Sequence, residues 1–186
     1  MINEDNRVNA NPGEPPKAGD AGAPRWSGYL DWVREECIEA VTSLPYDQQR
    51  TSKVPSGWTP LELLNHLLHM EQRWFVWGFL AEKPADPFGD WNVDDPDADP
   101  DARWRVPDGV TAEQIAERLR AQGERTREVL RTHDLHEAGR VGGRFTSEPP
   151  TLEWICFHVL AEYARHAGHL DITVELMTEG RDLPAR

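Results

Sequence analysis

The sequence predicts an all-α fold: a four-helix bundle. Two observations carry this. Four segments repeat apolar residues at helical spacing, and no segment shows a convincing strand pattern. Between the second and third segments, residues 83–110 form an acidic, proline-rich connection of a length common in lids and binding loops. With 186 residues the chain has the length of one domain, large enough to bury a core without a disulfide or a structural metal.

Residues 1–24 are rich in Asn, Gly, Pro, Ala and Glu and offer little to bury, so they read as a disordered tail before a bundle spanning residues 25–186. They contain no apolar run of the kind a signal peptide needs. The first helix is expected from about Ser27, as N-cap, to Ser43, with Leu30, Val33, Cys37, Ile38 and Val41 on one stripe and Pro45 beyond its end. The second has the clearest start. Thr59 can cap, Pro60 takes the first helical position, and Glu62 completes a capping box. It is expected to run to about Ala81 and is apolar on most of its circumference, which marks a central helix.

In the connection that follows, DDPDADPDA places Asp at alternate positions, as calcium loops do. It fails the EF-hand pattern: counting from Asp95, the sixth position is Pro100 instead of Gly and the twelfth is Val106 instead of Glu. Trp91 and Trp104 suit this loop to covering a pocket mouth. The third helix begins at Thr111, with Gln114 forming a second capping box, and reaches about His133 on a thin stripe of Ile115, Leu119, Val129 and Leu130. A loop over residues 134–150 centres on RVGGRFT, which suits a short turn or hairpin. The fourth helix is expected from Thr151 to Glu179, with Gly180 as its stop.

The formal net charge of −13 argues against nucleic acid and against an anionic membrane surface, both of which call for excess Lys and Arg. Cys37 and Cys156 form no CxxC pair and read as buried free thiols in a reducing compartment. No apolar run approaches a membrane span. The expectation is a cytoplasmic protein.

The chemistry lies in the second and fourth helices. Ile155, Val159, Glu162, His166, His169 and Thr173 share one stripe, and its apolar part turns it toward the core. A carboxylate there needs a compensating charge. Glu162 could pair with Arg165 or with an Arg of the third helix. A divalent metal is the other solution, and it suits a neutral imidazole at His166. In LLNHLLHMEQRW, the second helix carries His66 and His69, either of which could complete the set, and Leu63, His66, Met70 and Trp74 share one side. Two imidazoles and one carboxylate with open positions suit zinc, and also iron, nickel or manganese. No HExxH is present.

Two of these segments resemble one family. WTPLELLNHLLHMEQRW looks like the second-helix signature of the DinB-like superfamily of metal enzymes, and EYARHAGHLDI resembles its fourth-helix motif. The likeness is nearest to the actinobacterial subset related to mycothiol-dependent S-transferases and maleylpyruvate isomerase, which the WNVDDPDADP loop also resembles, and it spans roughly residues 26–180. The resemblance selects His66, followed by Leu67, over His69, and implies His66, Glu162 and His166 as metal ligands. It also implies a long crossover between the second and third helices of the bundle, with which the long acidic connection agrees. Many superfamily members have a histidine in place of Glu162. The mycothiol-linked relatives are similar to this chain in having Glu there.

What the resemblance implies in function is a divalent-metal-dependent transferase that moves a low-molecular-weight, mycothiol-like thiol onto an electrophilic small molecule. The alternatives are a metal-dependent hydrolase acting through metal-bound water and a non-catalytic, stress-related metal-binding bundle. His169, one turn beyond His166, could take a proton from the thiol or from water, or could simply pack there. Arg73, Trp74 and Arg165 are candidate pocket residues for the thiol. The chain is expected to act as a monomer or homodimer.

Overall fold

The computed structural model describes residues 12–19, 21–83 and 105–178. Its helices are α1 (Ala23–Thr42), α2 (Tyr46–Gln49), α3 (Pro60–Gln72), α4 (Ala112–Thr132) and α5 (Leu152–Thr178), with the chain continuing from α3 into π-helical turns over Arg73–Phe79. The expected all-α bundle is thus formed by α1, α3, α4 and α5. No described helix is long and apolar enough to cross a membrane.

The helix starts follow local chemistry. Thr59 and Thr111 both make full capping boxes. Glu62 N–H donates to Thr59 Oγ1 (3.3 Å) while Thr59 N–H donates to Glu62 Oε2 (2.9 Å), and Gln114 and Thr111 repeat the exchange at 3.3 and 3.0 Å. Thr151 Oγ1 accepts from Trp154 N–H at 3.4 Å at the head of α5. The first helix departs from expectation. It begins at Ala23, with Gly22 as an N-cap that supplies no side-chain bond, and Ser27 lies inside it. Pro24 in the first turn accounts for the earlier start, since proline is accepted there without loss of a backbone bond. The short α2, just past Pro45, is an element that the apolar periodicity did not announce.

The second helix departs more instructively. It was expected as one helix to about Ala81, but from Arg73 the turns widen, with Leu80 N–H bonding to Phe75 O at 3.2 Å. The loop after α4 then seals this end. Arg140 N–H donates to Phe79 O (2.8 Å) and Arg144 N–H to Trp77 O (3.2 Å), so carbonyls that a helix terminus leaves open find partners. The turn within RVGGRFT is closed by Gly142 N–H to Phe145 O at 3.0 Å, with Gly142 at φ 98°. Gly143 is required by proximity, because a Cβ there would stand 2.2 Å from Trp77 O.

Contacts fix the helix directions. Asp31 meets Arg127 and Glu35 meets Arg120, so α1 and α4 are antiparallel. Trp26 meets Phe157 while Tyr163 and Arg34 share Glu71, so α1 and α5 run the same way. Arg50, ahead of α3, bonds Val110 O ahead of α4, and Glu82, beyond the π-helical turns, pairs with Arg125 near the end of α4. Hence α3 and α4 are parallel. Consecutive parallel helices need a connection that travels the bundle's length, which is the role of the long crossover. Its residues 84–104, including Trp91, Trp104 and the WNVDDPDADP segment, lie outside the described residues, as does Gly180.

The core is largely apolar, with one buried charged cluster among the described residues. Leu30, Ile38, Leu64, Leu67, Phe75, Ile115, Leu119 and Val159 are buried, and among them sits the fully buried carboxylate of Glu71. Arg34 clasps it with Nε (3.0 Å) and Nη2 (2.9 Å), and the Tyr163 and Thr126 hydroxyls donate to it at 2.5 Å each. One residue from each of α1, α3, α4 and α5 thereby meets at a single point. Gly123 makes room for the guanidinium: a Cβ there would stand 2.6 Å from Arg34 Nη1.

Candidate metal centre

Glu71 and Tyr163 place α5 against α3, and Tyr163 is the chain neighbour of Glu162. Because the two helices are antiparallel, residues rising along α5 face residues falling along α3. Trp154 and His158 lie near Trp74, while Glu162 and His166 lie opposite His66. His169 lies beside Trp58, ahead of α3.

At the middle of this row, His66, Glu162 and His166 each offer a ligand atom, and these atoms all lie within 4.8 Å of one another. The His66 and His166 rings are 4.9 Å apart at 71°, and His166 Nε2 is 3.4 Å from Glu162 Oε2. Donors about 2.1 Å from a tetrahedral ion stand about 3.4 Å apart, so this pair already has the separation a shared zinc requires. All three side chains are half-buried. The His166 imidazole is pushed down to about 4, by burial first and then by His66, against the opposing pull of Glu162. It is therefore neutral at physiological pH, the form in which imidazole ligates metal. Its Nδ1 is buried with no hydrogen-bond partner among the described residues. The donor set fits a divalent ion.

The remaining expected residues fall differently. The His169 ring is 5.5 Å from that of His166 and 6.0 Å from that of Trp58, at the exposed end of the row. Trp74 is buried and reaches the cluster through His158, its ring 4.1 Å away. Arg73 is half-buried at the start of the π-helical turns, and Arg165 is exposed on α5. His69 is buried and lies outside the three-residue cluster. Among the described residues, the ion-pair partners of Glu162 are histidines, and Arg165 is not one of them. The two oxygens of Glu162 face His166 and His158, the latter at 3.9 Å.

His158 was missed by the sequence reading, although it stands four residues before Glu162, as His166 stands four after. Burial, with Arg144 and Arg165 adding to it, keeps its pKa below the usual histidine value despite Glu162. Arg144 was missed for a different reason. It reaches the site from the loop before α5, and no helical periodicity points to it.

The all-α bundle, which gathers two imidazoles and a carboxylate between antiparallel core helices, agrees with the DinB-like class. The mycothiol-S-transferase family model matches residues 26–179, and the chain belongs to that family. No curated protein matches it.

Proposed function

We propose that the protein is a divalent-metal-dependent S-transferase that joins mycothiol, or a thiol like it, to an electrophilic small molecule. The single observation that carries the reading is the convergence of His66, Glu162 and His166, with ligand atoms within 4.8 Å of one another, in a chain of the mycothiol-S-transferase family. In this reading the three residues hold one ion, zinc by preference for a set of two imidazoles and one carboxylate. When bound, such an ion supplies the positive charge that favours thiolate over thiol at neutral pH.

The chain's own residues do the rest. His166 and His66 present neutral imidazoles. His158 faces the second oxygen of Glu162 at 3.9 Å. His169, at the open end of the row, receives the thiol proton, and Trp58 holds its ring in place. Sulfur forms a bond to the electrophilic carbon, and the leaving group departs with the electron pair of the bond that breaks. Neither Cys37 nor Cys156 takes part, because both are buried. Arg165 is assigned to the surroundings of the thiol, and Arg73 and Trp74, toward the other end of the row, to those of the electrophile. The substrates are small molecules met in the cytoplasm, and the net charge of −13 supports neither a nucleic-acid nor a membrane partner.

The test is conjugation of mycothiol to chlorodinitrobenzene by the zinc-loaded protein. The reading expects thiol-dependent product and its loss in His66→Ala. Turnover of an ester substrate without any thiol would favour hydrolysis through metal-bound water instead.

A further inference from the structure

Toward the N-terminal end of α5, the row of site residues continues into an aromatic group with a cation set on it. The Arg144 guanidinium lies 4.3 Å above the Trp74 ring and 5.9 Å from that of Phe145. Trp74 packs on His158, which stacks on Trp154 with rings 5.2 Å apart and 10° from parallel. Trp154 is half exposed. His158 in turn faces Glu162, so this group adjoins the candidate metal centre.

Among the described residues, no carboxylate balances the charge of Arg144. Other arginines of the fold pair with carboxylates: Arg34 with Glu71, Arg120 with Glu35, Arg125 with Glu82 and Arg131 with Glu128. Arg144 has no such pair among the described residues, although it is half-buried in a chain with 33 Asp and Glu. Burial lowers its pKa, and no carboxylate of the described residues raises it again. A guanidinium stays charged regardless. With a face on Trp74, it keeps an edge of N–H donors for a planar acceptor. Those donors match the two oxygens of a carboxylate, and the open face of Trp154 matches a flat apolar body.

We propose that Arg144, Trp74 and Trp154 form the subsite that recognises the electrophile, and that this electrophile carries a carboxylate on a planar, apolar frame. The assignment rests on the transferase reading, because it takes the adjacent Glu162 to mark the reacting centre. The thiol then enters from the opposite end of the row, past His169 and Trp58. The two substrates approach from opposite sides of the cluster.

Calorimetric binding of benzoate and of its neutral analogue benzamide to the zinc-loaded protein tests this. Benzoate is expected to bind and benzamide to bind at least about tenfold more weakly, since a charged hydrogen-bonded contact is worth roughly 1.5–3 kcal/mol. Arg144→Gln should weaken benzoate by a similar factor with zinc stoichiometry unchanged, and Arg144→Lys, which keeps charge but loses the fork, should fall between. Equal binding of benzoate and benzamide by the unmodified protein would overturn the assignment, as would full benzoate affinity in Arg144→Gln. Failure of the transferase reading would register separately, as no thiol-dependent product from mycothiol and chlorodinitrobenzene.

Discussion

His166 and the two cysteines show how burial sets reactivity in this protein. Burial disfavours the charged form of each group, so the imidazole stays neutral and the thiols stay protonated. Burial is the leading cause that pushes Cys37 and Cys156 each up to about 12, with Glu36 and Asp171 adding for the first and Glu153 for the second. Iodoacetamide should therefore label both far more slowly in the native protein at pH 8 than in urea, and comparable rates would contradict their burial. The same shift has a consequence for stability. Between an ordinary thiol value of 9.0 and about 12 the native state holds protons that the unfolded state has released. This contribution is complete below the lower value and is lost as pH rises through the window, so urea midpoints should decline there.

At the scale of elements, the Glu71 centre does the positioning. It draws Arg34, Thr126 and Tyr163 to one carboxylate and so sets α5 against α3, the two helices that carry the candidate ligands. Removing one partner of a buried pair strands the other, which costs about 3–5 kcal/mol. Glu71→Ala should lower the unfolding free energy by that amount in a urea titration; a change below about 1 kcal/mol would mean that Arg34 is satisfied some other way. Gly143→Ala should also destabilise, because its methyl would collide with Trp77 O, and it should loosen the loop that carries Arg144.

Much of this element level is legible in the sequence. Both capping boxes, the central character of the second helix and the stripe joining Glu162 to His166 follow from spacing. The π-helical turns do not, because Trp74, Trp77 and Gly78 read as ordinary helix until the loop at Arg140–Arg144 is packed on them. Glu71 was equally opaque. Next to Met70 on a helix apolar nearly all round, its burial depends on three partners from three other helices.

For the whole molecule, the up-down-down-up arrangement is what brings His66 opposite Glu162 and His166. Parallel α3 and α4 demand the long crossover, which the family resemblance implies and with which the length of the acidic connection agrees. The choice of His66 over His69 was not readable from periodicity, since both face largely apolar surroundings. It came from the family resemblance, and in the fold His66 joins the cluster while His69 does not. A ligand held only by the native arrangement stabilises it, so zinc at about 100 times its dissociation constant should add about 2.7 kcal/mol and raise the melting temperature. An unchanged melting temperature under those conditions would count against a site built by the fold.

The most direct test of the central claim is metal analysis of the purified protein beside its His66→Ala variant, each passed over the same desalting column after zinc loading. The account predicts about one zinc per chain in the unmodified protein and little in the variant, because a site of three protein ligands does not survive the loss of one. Full zinc content in His66→Ala would contradict it.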